Sequence, residues 1–293
     1  EHPRRRKMAA MNPVPHLPAH WSDLTTADFG HLDLPRTIAV LPVAATEQHG
    51  PHLPLSVDAT IADGIVARAL VALPAGTPVL MLPTQSVGFS PEHARFAGTL
   101  SLRAETLMRV WTELGECVAA SGVRKLVLFN THGGQVGALD LVARDLRARL
   151  GMLVYSLSWF NLPLQDEQGQ DVSARFSADE HRFGIHAGDI ETSMMLALAP
   201  ERVRMDQAER FGSTSSERAR QHAILGNGRS AKLAWMMQDY NRQGAVGDAA
   251  AATADKGLAL VGAAGRALAE LLLEIDRLPP DTLREDVAYP ARR

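Results

Sequence analysis

The sequence predicts an α/β domain built on a parallel sheet with helices on both faces, and three observations carry that expectation. Short apolar runs alternate with stretches of helical period between residues 38 and 157, the pattern of repeated strand, helix, strand units. Two histidine-bearing polar segments, TEQHGPHLPLSVDA at 46–59 and NTHGGQ at 130–135, each follow an apolar run, and in such sheets ligands gather outside the carboxyl ends of strands. A length of 293 residues with 46% hydrophobic content supplies material for one core of this kind.

Taken in order, residues 1–20 open with a basic cluster at 4–7 and carry Pro13, Pro15 and Pro18. No continuous apolar segment follows the cluster, so a disordered leader is expected rather than a signal peptide, with Met8 and Met11 both candidate natural starts. Residues 21–29 are expected as a short helix with Ser22 as its cap. The run IAVLPV at 38–43 is the first buried strand. From 59 to 72 the spacing of Ile61, Ile65, Val66 and Leu70 is helical, and Pro74 and Gly76 end the helix. Residues 79–82 form the second strand, closed by Pro83, and the following long loop carries His93, Gly98 and Thr99; a connection of that length is commonly functional.

Residues 102–120 are a helix by period, with Cys117 expected on its buried face as an inert thiol. The third strand is 125–129, the next helix 136–150 and the fourth strand 152–157. A polar stretch at 158–185 is expected to shape the mouth of a site. His186 then precedes a helix that contains Glu191. Residues 206–247 read as weakly organised, with Trp235, Met236 and Met237 in a helix, and 244–248 as a turn. The last amphipathic helix runs over 251–275. The organisation is therefore a leader at 1–20, a single domain at 21–278 and a loose tail at 279–293.

Charge and cysteine usage narrow the class of function. The net charge of −3 is near balance and the basic residues are spread along the chain, which gives no reason to expect nucleic acid or an anionic membrane as partner. No apolar run approaches the length of a membrane span. One cysteine excludes an internal disulfide framework, and the expected compartment is the cytoplasm, with a small molecule as substrate.

Alternate residues of an extended segment point to one side, so Glu47 and His49 can share a metal centre while Gln48 faces away. Gly50 lets the chain turn, Pro51 and Pro54 restrict its return, and Asp58 arrives at a helix start, placed either to bridge two metal ions or to cap that helix. With His132 and Glu191 these make two histidines and three carboxylates, the donors a binuclear site needs. Two divalent ions about 3.5–4 Å apart would hold a bridging water, lower its pKa toward about 7 and polarise the carbonyl it attacks. A proton for the leaving nitrogen points to His186 as general acid/base; the alternative is a backbone-bonded histidine beside a helix start. Asp189 and Glu191 would favour the helix dipole with or without a metal. His52, His93, Gly133, Gly134 and Trp159 are expected to line the substrate pocket or support the ligands from behind.

The motifs TEQHGPHLP with Asp58, NTHGG at 130–134 and HAGDIETS at 186–193 together resemble the creatininase (creatinine amidohydrolase) family, from about Trp21 to the final helix. The resemblance implies a three-layer α/β/α sandwich with a mostly parallel central sheet. It also implies two divalent metal ions per chain, of zinc, manganese or iron, hydrolysis of a C–N bond in a small molecule or short peptide, and a homo-oligomer that is often a hexamer. Residue by residue it places Glu47, Asp58 and His132 on one ion, His49, Asp58 and Glu191 on the other, and His186 as the acid/base group. Thr131 and Gln135 stand where the family turn has glycine and asparagine. Gly133 and Gly134 stand where creatininases have an aromatic and a carboxylate, which turns the expectation away from creatinine and assigns the acidic ligand to Glu191. Branches similar at this turn include a deformylase acting on a formylamino-pyrimidine nucleotide and a peptidase that trims a redox-cofactor precursor. A non-catalytic metal- or ligand-binding scaffold is the alternative of another class.

Overall fold

A computed structural model describes residues 18–289. The four expected apolar runs become β1 (Ile38–Val43), β2 (Val79–Met81), β3 (Lys125–Asn130) and β4 (Leu153–Ser158). They form one parallel sheet in the order β2-β1-β3-β4, with Ile38 paired to both Val79 and Lys125. The connection from β1 leads outward to β2 while that from β3 leads the opposite way to β4, so the strand order reverses between β1 and β3. That reversal opens a crevice at their carboxyl ends, and the two histidine-bearing segments leave the sheet there.

The helices are α1 (Val57–Ala72), α2 (Ala104–Ala120), α3 (Val136–Leu150), α4 (Ala178–Phe183), α5 (Asp189–Leu198), α6 (Thr214–Gln221), α7 (Met237–Tyr240) and α8 (Ala254–Arg277). Strand alternation decides their layers. Ile38, Val40, Val127 and Phe129 face α1, α5 and α8, whereas Ala39, Leu41, Leu126 and Leu128 face α2 and α3. Two cores on opposite faces of one sheet make the three-layer α/β/α sandwich. A separate antiparallel pair, β5 (Arg210–Phe211) with β6 (Gly247–Asp248), ties the 206–247 region back to the domain.

Local expectations are corrected in three places. Residues 21–29 form two 3-10 turns, Trp21–Asp23 and Asp28–His31, instead of one helix. The Asp28 carboxylate accepts the N–H of Thr25 at 2.7 Å and its hydroxyl at 2.8 Å, and such local bonds compete with a continuing helix; Ser22 reaches only Asp23 and caps nothing. Cys117 is exposed, because the apolar face of α2 is set by Leu107, Trp111, Gly115 and Val118, and at about 100° per residue position 117 falls outside it. Trp235 and Met236 precede α7, the Met236 N–H being held by the Asp239 side chain at 2.7 Å.

At the N-terminal end the expected leader lies outside the described residues up to 17. Ala19 already accepts the Met81 N–H at 2.8 Å. Of the tail, 290–293 lie outside the described residues, while Arg147 pairs with Glu285 at 2.9 Å. Among the described residues no helix is long and apolar enough to cross a membrane.

Candidate metal centre

The chain leaves β1 at Val43 and folds back on itself, with Glu47 N–H donating to Leu55 carbonyl at 3.1 Å and His49 bridging Leu53. Gly50 has φ +67°, a left-handed conformation that costs glycine little. This hairpin-like return carries Asp58 into the first turn of α1, where it is the second helical residue rather than the cap. The turn after β3 is held by its own polar side chains. Asn130 accepts the His132 N–H at 3.1 Å, and Gln135 donates to Asn130 at 3.0 Å. Thr131 Oγ1 donates to the Asp58 carbonyl at 2.9 Å, so the threonine that departs from the family turn locks His132 to the start of α1.

Glu47, His49, Asp58, His132 and His186 are all buried and converge with the partly buried Glu191. Glu47 Oε1 lies 3.2 Å from His132 Nδ1, 3.5 Å from His93 Nε2 and 3.8 Å from His186 Nδ1. His132 Nδ1 is 3.9 Å from Asp58 Oδ2, and His49 Nε2 is 3.8 Å from Glu191 Oε2. Three groups have donor atoms close enough to hold a cation: Glu47, Asp58 and His132; Glu47, His93 and His186; and His49, His186 and Glu191. In the last of these it is His186 that joins His49 and Glu191.

Backbone carbonyls orient the rings. His49 Nδ1 donates to the Glu47 carbonyl at 3.0 Å, His132 Nε2 to the Phe89 carbonyl at 3.1 Å and His186 Nε2 to the Gln48 carbonyl at 2.7 Å. Each bond fixes which nitrogen turns inward. Glu47 Oε2, His49 Nε2 and Asp58 Oδ2 are buried with no hydrogen-bond partner among the described residues. Buried acceptors with free lone pairs are costly, and a cation among them removes that cost, so these residues fit a divalent metal.

The electrostatics follow from burial and crowding. Burial opposes ionisation of Glu47, yet His132, His93 and His186 outweigh it and hold the carboxyl well below its ordinary range. Burial, then the neighbouring Glu47 charge, pushes Asp58 well above its range. Burial and His186 hold His49 well below the usual imidazole range and His93 down at about 3. His132 resists burial through Glu47, Asp58 and Glu92 and is raised to about 10. Burial raises Glu191. Displaced and opposed values of this kind make the cluster a candidate functional site.

Of the expected supporting residues, His93, Gly133, Gly134 and Trp159 line the same cavity, whose volume is about 820 Å³. His52 stands behind it: its Nε2 meets Thr192 Oγ1 at 2.9 Å and its ring stacks on Phe211 at 5.4 Å. Gln48 corrects the expectation that it faces away. Its Nε2 donates to His93 Nδ1 at 2.7 Å and to the Gly244 carbonyl at 2.9 Å, so it braces the histidine rings from their far edges. Sequence reasoning also missed Glu92 and Glu180. Glu180 accepts the N–H groups of Ile190 at 3.3 Å and Asp248 at 2.9 Å, with Gly184, Gly188 and Gly247 closing around its carboxylate. Three glycines about one buried acid were the available signal.

The chain is 37% identical over 174 residues to the mycofactocin precursor peptide peptidase of Mycobacterium tuberculosis (strain CDC 1551 / Oshkosh), a match covering 57% of this chain and 61% of that relative. It is 29% identical over 191 residues to the creatinine amidohydrolase of Pseudomonas putida, covering 58% of this chain and 67% of that one. The chain thus spans about three-fifths of the length of the first of these relatives. A solved creatininase variant described as Zn-Zn type shares the fold with a TM-score of 0.69 at 22% identity, over 89% of this chain and 99% of that one. The family model described as creatinine amidohydrolase matches residues 22–272, nearly all of the α/β/α sandwich with the three donor groups inside it. The chain belongs to the creatininase family.

Proposed function

We propose that this chain is a metal-dependent hydrolase of carbon–nitrogen bonds that holds two divalent ions at the β1/β3 crevice. The observation that carries the reading is the set of buried acceptors Glu47 Oε2, His49 Nε2 and Asp58 Oδ2, unpartnered among the described residues, beside a cavity of about 820 Å³. Glu47, Asp58 and His132 would hold one ion and His49, Asp58 and Glu191 the other, with Asp58 shared. When bound, a zinc, manganese or iron pair acidifies water and polarises an amide carbonyl.

The chain supplies the rest. Gly133, with open space where a side chain would stand, leaves that part of the turn free for close approach of a carbonyl. The Gln48 carbonyl holds His186 Nε2–H, so Nδ1 faces the reaction, where it takes a proton and returns it to the leaving nitrogen. Trp159 forms part of the cavity wall.

The substrate class is an amide, cyclic amide or formamide of a small molecule. A second reading, trimming of a short peptide or cofactor precursor, is supported by the cavity, which lies in the upper part of the range for drug-sized ligands, and by the kinship to a precursor-peptide peptidase. A homo-oligomer in the cytoplasm belongs to both readings. The test is a turnover screen of cyclic ureides, formamides and short peptides with the Zn²⁺- or Mn²⁺-loaded protein. Hydrolysis of a class that stops on metal removal supports the proposal; a metal-loaded protein that cleaves none of them points to a binding scaffold.

A further inference from the structure

Five carboxylates line the large cavity, those of Glu47, Asp58, Glu92, Glu180 and Glu191. Three are the proposed metal ligands, and Glu180 is met by backbone N–H groups. Glu92 is left over. It sits on the 3-10 turn Pro91–His93, is 8% exposed, and its carboxylate is met by its own backbone N–H and by no hydrogen bond from another described residue. Its nearest charged neighbour is His132, with Glu92 Oε1 3.5 Å from Nε2, but that ring nitrogen already donates to the Phe89 carbonyl at 3.1 Å. The carboxylate thus stands beside the imidazole without taking its hydrogen bond.

Its placement depends on a missing side chain. A Cβ on Gly134 would run into the Glu92 carboxylate, so the glycine is what lets this acid reach the cavity wall beside the metal ligands. A nine-tenths-buried carboxylate on a cavity wall, with no donor from any other described residue, is left short of partners that a bound ligand can supply. The proposed ions cannot serve, because Glu92 belongs to none of the donor groups. A substrate entering the cavity would meet this carboxylate beside the metal ligands.

Resting on the hydrolase reading above, we propose that Glu92 is a specificity residue that recognises a cationic nitrogen on the substrate, next to the amide under attack. The substrate class narrows to amides that carry an amine or other positively charged nitrogen on the side that lies along the Glu92 to Gly134 wall.

The test uses two amides of one shape, trimethylammonioacetamide and its uncharged isostere 3,3-dimethylbutanamide, titrated by ligand-observed NMR into the metal-loaded full chain and into Glu92→Gln. Neither end group coordinates metal, so the difference between them reads charge alone. The wild type is expected to bind the cation at least about tenfold more tightly, about 1.4 kcal/mol, and Glu92→Gln to bind the two alike with unchanged metal content. Equal binding by the wild type, or a preference that survives Glu92→Gln, overturns the proposal. So does loss of metal from Glu92→Gln, which would make the acid a support for His132. Turnover does not enter this comparison, so an inactive protein that still discriminates refutes the hydrolase reading and leaves the cation site standing.

Discussion

His132 turns its Nδ1 toward Glu47 Oε1, 3.2 Å away, while its Nε2 is held 3.1 Å from the Phe89 carbonyl. Without metal, the inward nitrogen is occupied by a proton: burial works against the charge, but Glu47, Asp58 and Glu92 raise the group to about 10. A folded value above the ordinary imidazole value of about 6.5 stabilises the metal-free fold fully below about pH 6.5, and the contribution is lost as pH rises through about 10. His132→Gln should therefore lower the urea midpoint of metal-free protein clearly at pH 6 and much less at pH 10. The same proton must leave when metal binds, so metal affinity should rise with pH.

Asp58 separates stability from function. Its Oδ2 is buried without a hydrogen-bond partner among the described residues, and burial together with Glu47 pushes its carboxyl well upward. Asp58→Asn should abolish metal retention and activity together yet raise the stability of the metal-free fold by about 1 kcal/mol or more, since an unsatisfied buried acid costs that much. Calorimetry of chelated protein alongside metal analysis reads both effects. Full activity in Asp58→Ala would end its role as a shared ligand.

His186→Ala should retain metal and lose on the order of a hundredfold or more in kcat. The ring meets Glu47 through Nδ1 at 3.8 Å and the Gln48 carbonyl through Nε2 at 2.7 Å, a geometry suited to passing a proton. If the variant instead loses metal in step with activity, His186 acts as a ligand beside His49 and Glu191.

His52 governs acid tolerance. Burial and the His186 charge hold it at about 4, below the unfolded value of about 6.5. There is no cost above pH 6.5, and the fold loses stability as pH falls from about 6.5 toward 4, because the unfolded chain binds the proton and the folded chain does not. His52→Gln in metal-free protein should unfold at a lower pH than wild type. An unchanged acid midpoint would show that the ring is not held neutral.

Periodicity and motif order made the sheet and most of the candidate site's side-chain cluster legible. The runs at 38–43 and 136–150 carry unbroken patterns and match β1 and α3 residue for residue. Glu47, His49, Asp58, His132, His186 and Glu191 occur in short dense motifs, and all six converge. What escaped depends on contacts between distant segments. Gln48 was read from strand alternation alone, but the Gly244 loop packs over its side of the chain and turns it into a brace for His93 and His186. Glu92 lies in a loop with no period, and only the approach of Gly134 from β3's turn gives its carboxylate a place. The 206–247 region has no buried residue in α6 and short local bonds in α7, so no pattern along the chain announced that Lys232 to Met236 would wall the cavity.

The central claim is a pair of cations held by Glu47, His49, Asp58, His132 and Glu191, and elemental analysis of protein reconstituted with Zn²⁺ or Mn²⁺ and freed of excess tests it most directly. About two ions per wild-type chain, falling below one in Glu47→Ala, is the expected result. A wild-type chain that holds no tightly bound divalent ion, or that hydrolyses its substrate at full rate after chelation, would contradict it.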